Sequence, residues 1–173
     1  MNRLLVLIVG LSVLAGACSD SSPSTPGQET TTTSTYTVPL SSANEVPPIT
    51  NADAGSSGTA TITLTVTKDG AGSITAATMN FQISVTGLPE GTTATKAHVH
   101  NGTAGVNAGV YVDTTLASGE MTVTNGSGSI TKNGINVPAD KAAAILSNPA
   151  AHYFNVHTAL NPDGTMRGQF PGA

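Results

Sequence analysis

From Ala60 to Thr67 the chain reads Ala-Thr-Ile-Thr-Leu-Thr-Val-Thr, apolar and hydroxyl residues in strict alternation. Successive side chains of an extended strand leave opposite faces, so Ala60, Ile62, Leu64 and Val66 share one face and the threonines the other. A helix, with its 3.6-residue repeat, would scatter the same four apolar residues around its axis. The run is therefore a half-buried strand. Met79, Phe81, Ile83 and Val85 repeat the pattern against Asn80, Gln82 and Ser84. Asp69-Gly70, between the two runs, suits a hairpin turn because glycine tolerates positive φ.

Shorter stretches extend the same reading. Strands are expected at Tyr36–Leu40, Lys96–His100, Gly109–Thr115, Glu120–Thr124, Gly128–Lys132, His152–Thr158 and Thr165–Phe170, with Asn101-Gly102, Asn125-Gly126, Asn133-Gly134 and Asp163-Gly164 as turns between them. Many short strands with regular turn signals predict an all-β antiparallel sandwich or barrel. One segment departs from the pattern. Pro138 to Leu146 is alanine-rich, opens on proline and stops at Asn148-Pro149. Proline suits a first helical turn, where its missing N–H is not needed, so one short helix is expected, crossing between sheet edges. Residues 36–173 are enough for one domain with a proper core.

The chain opens differently. Asn2-Arg3 gives a positive start, Leu4 to Leu14 is almost wholly apolar and Ala15-Gly16-Ala17 are small. This is the pattern of a secretory signal peptide over residues 1–17. Its apolar run is about eleven residues long, well short of the roughly 20 that span a bilayer. The only cysteine, Cys18, follows at once. Alone in an exported chain it can form no internal disulfide. Ala15-Gly16-Ala17-Cys18 resembles the lipobox of bacterial lipoproteins, with Ala15 standing where leucine is usual. That resemblance implies a lipid anchor on Cys18, the membrane as a partner, and the periplasmic or cell-surface face of a bacterial envelope as destination. Ser19, not aspartate, follows the cysteine and favours the outer membrane or surface. From there to about Thr35 the chain is mostly serine, threonine, proline, glycine and glutamine, with hardly any apolar residue, a composition expected of a disordered tether.

Only 9% of the residues are charged, and removal of Arg3 with the leader leaves ten acidic against five basic side chains. They form no basic patch, which argues against nucleic acid as a partner.

Three of the chain's four histidines fall in two strand segments, Ala97-His98-Val99-His100 and Asn155-Val156-His157-Thr158. His98 and His100 leave the same face with Cα atoms roughly 6.5–7 Å apart, opposite Ala97 and Val99. By the same parity His157 lies with Tyr153 and Asn155, whereas His152 falls on the side of Phe154. If the two strands are neighbours, His98, His100 and His157 can converge on one cation. Imidazole suits copper and zinc alike, and three nitrogens leave a position open. Their ligand atoms would then have to lie within about 4 Å of one another, on bonds of roughly 2 Å. The other reading, histidines that merely hydrogen-bond loops crossing the sheet, stays open.

Arg167 is the only arginine after the leader. In so uncharged a protein a strand guanidinium pairs with a carboxylate or caps carbonyls; Glu45 and Asp113 are the candidates, with Asn155 as a further supporting residue. Its functional reading is an anion guide beside a metal; its structural reading is an internal clamp. Asn101-Gly102-Thr103 and Asn125-Gly126-Ser127 match the glycosylation sequon but are read as turns. Met79, Met121 and Met166 are read as core. No nucleophilic triad, close carboxylate pair or phosphate-cradling glycine loop stands out, so no catalytic residue is assigned.

Four stretches then carry a resemblance: Asn44-Glu45-Val46-Pro47-Pro48, Ala97-His98-Val99-His100-Asn101-Gly102, Tyr153-Phe154-Asn155-Val156-His157-Thr158 and Gly164-Thr165-Met166-Arg167-Gly168-Gln169. In this order, over about residues 36–170, they resemble the CHRD domain, first described in chordin and found in many microbial secreted proteins. Thr165-Met166 stands where an acidic residue followed by isoleucine is more usual. The resemblance implies an immunoglobulin-like β-sandwich and no settled activity. The His-Val-His strand is also similar to the copper-binding strand of copper–zinc superoxide dismutases. That similarity carries over His98 and His100 as ligands and, more loosely, His157. No counterpart of the dismutase zinc loop is present, so a two-metal dismutase is not expected. The expectation is a lipid-anchored binding module with a copper or zinc site. Its alternatives are a protein-interaction module with structural histidines and a single-copper redox enzyme.

Overall fold

The computed structural model describes residues 27–172; the expected leader over residues 1–17 and Cys18 lie outside them. In chain order the strands and helix are β1 (Thr30–Ser41), β2 (Ser57–Lys68), β3 (Ile74–Thr86), β4 (Thr93–Asn101), β5 (Val110–Asp113), β6 (Met121–Thr122), β7 (Ser127–Asn136), α1 (Ala139–Ser147), β8 (His152–Thr158) and β9 (Met166–Gln169). No helix among the described residues is long and apolar enough to cross a membrane.

The strands follow the order β5-β4-β8-β9-β1-β2-β3-β7, with β6 beside β4, and every pairing is antiparallel. Two halves meet at a single register pair, Ser41 with Arg167, and the sheet curls there so that the halves face each other as a sandwich. The alternating residues fill the space between. Ala60, Ile62, Leu64 and Val66 of β2 and Met79, Phe81, Ile83 and Val85 of β3 are all buried. Across the gap, Phe81 stacks on Phe154 of β8 with ring centroids 5.8 Å apart. The outward threonines of β1 and β2 pair hydroxyl to hydroxyl, as at Thr31–Thr67 and Thr33–Thr65, both 3.2 Å. The all-β expectation, with its one helix, holds. Pro138 stands immediately before α1, and the helix carries the chain from β7 in one half to β8 in the other.

The differences have physical causes. β1 begins at Thr30, inside the stretch expected to be a tether. Thr30–Thr35 contributes almost nothing to the core but is paired residue by residue with β2. Ladder hydrogen bonds hold the backbone where burial does not. Asn133-Gly134 is not a turn: β7 runs through it, the register against β3 shifts there, and Gly134, at φ 68°, donates its N–H to Asn80 Oδ1 at 2.8 Å. This is a bulge, which the same glycine signal equally describes. Asn125-Gly126 is the expected tight turn, with φ of 51° and 74° and both Thr124–Ser127 backbone hydrogen bonds formed. The expected strands at Glu120–Thr124 and Gly109–Thr115 shorten to β6 and β5.

Candidate metal centre

β4 and β8 are neighbours, in a register that sets His98 opposite Asn155, His100 opposite Tyr153 and Lys96 opposite His157. Ala97 and Val99 point into the core, fully buried. The histidine face is covered too. His98, His100 and His157 are each 6% exposed, because loops from residues 44–51, 106–109 and 159–165 fold over this half of the sheet. Strand parity alone predicts only a less apolar face; the loops make it a second interior.

The three side chains come together. One ligand atom from each of His98, His100 and His157 lies within 4.8 Å of the other two, and His98 Nδ1 is 3.1 Å from His157 Nε2. The close pair already meets the roughly 4 Å that one ion with bonds of about 2 Å requires; the full set exceeds it slightly and needs a small ring adjustment. Two backbone carbonyls fix the tautomers. His157 Nδ1 is 3.0 Å from Pro162 O and His100 Nδ1 is 2.9 Å from Ala108 O. A carbonyl can only accept, so both Nδ1 atoms carry the proton and both Nε2 atoms present a lone pair. His100 Nε2 is buried with no partner. His98 Nδ1–H accordingly donates to His157 Nε2, and His98 Nε2 faces Asp113 Oδ1 at 3.8 Å.

Burial keeps the cluster neutral. It pushes His157 down to about 4, against a smaller upward pull from the Pro162 carbonyl. Burial likewise lowers His98, partly offset by Asp113, and His100, partly offset by Ala108. Neutral imidazole is the form that binds a metal. The three nitrogen donors, two of them on rings whose Nδ1–H is held by a carbonyl, could hold a metal ion.

His152 stays apart, as its parity requires. It points inward between Tyr111 and Phe170 and donates from Nδ1 to Asn148 O at 3.1 Å.

Arg167 clamps rather than guides. Its Nε donates to Glu45 Oε2 at 2.7 Å, Nη1 to Val106 O at 3.3 Å and Nη2 to Asn107 Oδ1 at 2.6 Å. Glu45, not Asp113, is the partner. The guanidinium lies 4.6 Å over the Tyr153 ring, which itself stacks on His100 at 4.6 Å and 5°. Burial raises the Glu45 carboxyl while Arg167 draws it back. Asn155 lies between His98 and Arg167 in register, buried, with Oδ1 unpartnered.

Sequence reasoning missed Asp53. Its Oδ2 accepts from Thr158 Oγ1 at 2.7 Å, Asn161 Nδ2 at 2.6 Å and Thr165 Oγ1 at 2.9 Å. This buried knot pins the loop whose Pro162 carbonyl orients His157. The partners are more than a hundred positions away in sequence, so no local signal could have shown it.

Met79, Met121 and Met166 are buried, as expected of core. Of the two sequons, Asn125-Gly126 is a turn, but Asn101 is still in β4, paired with His152, and the chain turns only at Thr103–Val106. No curated protein and no solved structure matches the chain. The family model for the CHRD domain matches residues 36–170, spanning all four motifs and every residue of the histidine cluster. On that match, the chain belongs to the CHRD domain family.

Proposed function

We propose that the protein is an extracellular binding module, lipid-anchored through Cys18, whose specific ligand is a copper or zinc ion held by His98 Nδ1, His100 Nε2 and His157 Nε2. One observation carries this reading: two ring nitrogens from different strands face each other at 3.1 Å while a third buried imidazole nitrogen beside them has no partner. A cation would take the place of the proton shared by His98 and His157, and that proton would pass to His98 Nε2, next to Asp113. Metal analysis and calorimetry on the leader-less protein test it, against a His98→Ala/His100→Ala/His157→Ala control. Equal uptake by both would sink it.

A second reading has its own support, since His98 and His157 hydrogen-bond each other without any ion. In that reading the module binds a protein and the histidines are structural. The triple substitution then lowers stability equally with and without metal, and partner capture survives in chelator. The anchor is tested separately: Cys18→Ser should move the protein from the membrane fraction to the soluble one.

A further inference from the structure

Beside the histidine cluster lies an open cleft of about 690 Å³, lined by Glu45, His100, Tyr153, Asp163, Gly164 and Arg167 on its polar side. This is the size of an ordinary small-molecule site. Val46, Ile49, Leu160 and Pro162 give it apolar walls, and Val46 and Leu160 are two of the few large apolar side chains exposed among the described residues. They supply apolar surface at the mouth of the cleft.

Two acceptors on the polar side stand out. Glu45 and His100 are both more than nine-tenths buried, and each keeps an acceptor atom, Oε1 and Nε2, without a partner. Most buried donors are already engaged, one Nη1 N–H of Arg167 excepted. All three nitrogens of Arg167 are engaged, and the Tyr153 hydroxyl donates to Ala108 O and accepts from Ala108 N–H. An anionic ligand would find a single spare buried N–H, on Arg167 Nη1, and would meet two carboxylates, Glu45 and Asp163, against one paired guanidinium. A buried acceptor without a donor is costly, and a ligand that brings N–H groups removes that cost.

We propose that this cleft binds a small cationic amine with a short apolar body, its ammonium toward Glu45 and Asp163 and its body against Val46, Ile49 and Leu160. The site does not depend on the metal reading, although His100 belongs to both.

Metal-free, leader-less protein held in chelator is titrated with benzylamine and, separately, with benzoate, following backbone amide shifts by NMR. Benzylamine should saturate, with shifts concentrated at residues 45–49, 100 and 160–164, and benzoate should not. Leu160→Lys and Asp163→Lys, both exposed positions, should each weaken benzylamine by about threefold, the scale of an exposed charge interaction, with the spectrum otherwise unchanged. Benzoate binding as tightly as benzylamine would overturn the proposal. So would shifts centred elsewhere, no saturation by benzylamine, or an affinity indifferent to both substitutions. Because the sample is metal-free, any of these leaves the metal calorimetry unaffected.

Discussion

His98 Nδ1 and His157 Nε2 face each other at 3.1 Å across β4 and β8, a gap that holds one proton or one cation and not both. Since the Pro162 carbonyl commits His157 Nδ1 as the donor, Nε2 of that ring is the acceptor. Removing either ring should therefore cost metal affinity more than the roughly 10–100-fold lost when an outer partner of a ligand is removed. Calorimetry on His98→Ala and His157→Ala measures this. Asp113→Asn, which leaves all three rings in place, should cost less.

Acid should loosen the fold before it strips the carboxylates. His157 is pushed from 6.5 to about 4, and His98 and His100 move in the same direction. The unfolded chain then binds more protons than the folded one, so stability rises with pH across that range. The contribution of His157 is fully present above about 6.5 and is lost as pH falls toward about 4. Urea unfolding midpoints at a series of pH values read this out: they should fall through the window, and less so in His157→Gln. A flat profile would contradict the buried, neutral cluster.

Glu45 and Arg167 join loop and strand across 122 positions with both side chains buried. Arg167→Ala strands a buried carboxylate and should cost about 3–5 kcal/mol. A volume-matched apolar pair, Arg167→Met/Glu45→Leu, should recover part of that loss. Denaturant unfolding of Arg167→Met, Glu45→Leu and the double variant gives the coupling directly.

The seam between the two halves of the sandwich depends on Gly168. A Cβ there would collide with the backbone carbonyl of Pro39 and meet the Val38 side chain at 2.8 Å, and backbone cannot move aside as a flexible side chain can. Gly168→Ala should destabilise by at least the roughly 1–3 kcal/mol of an overpacked core. Gly109→Ala, with open space around it, serves as the comparison.

What could be read in advance divides along one physical line. The alternation at Ala60–Val66 and Met79–Val85 specified strands, faces and core because those properties are local and periodic. The parity of His98, His100 and His157 likewise placed three rings on one face and kept His152 off it. Covering that face was a different matter. The carbonyls of Ala108 and Pro162 are backbone atoms with no side-chain signature, and the Asp53 knot joins positions far apart in sequence. Arg167 offered two carboxylates, and only the fold of the 44–51 loop selects Glu45. Thr30–Thr35 departs from the tether expectation because its composition promises no burial, whereas its order comes from a ladder partner, β2.

The central claim is one ion on three rings. X-ray absorption on zinc-loaded, leader-less protein tests it most directly. The account predicts a first shell containing three imidazole nitrogens at about 2.0–2.1 Å, lost in the His98→Ala/His100→Ala/His157→Ala variant. A shell of oxygen ligands alone, or the same spectrum from that variant, would contradict it.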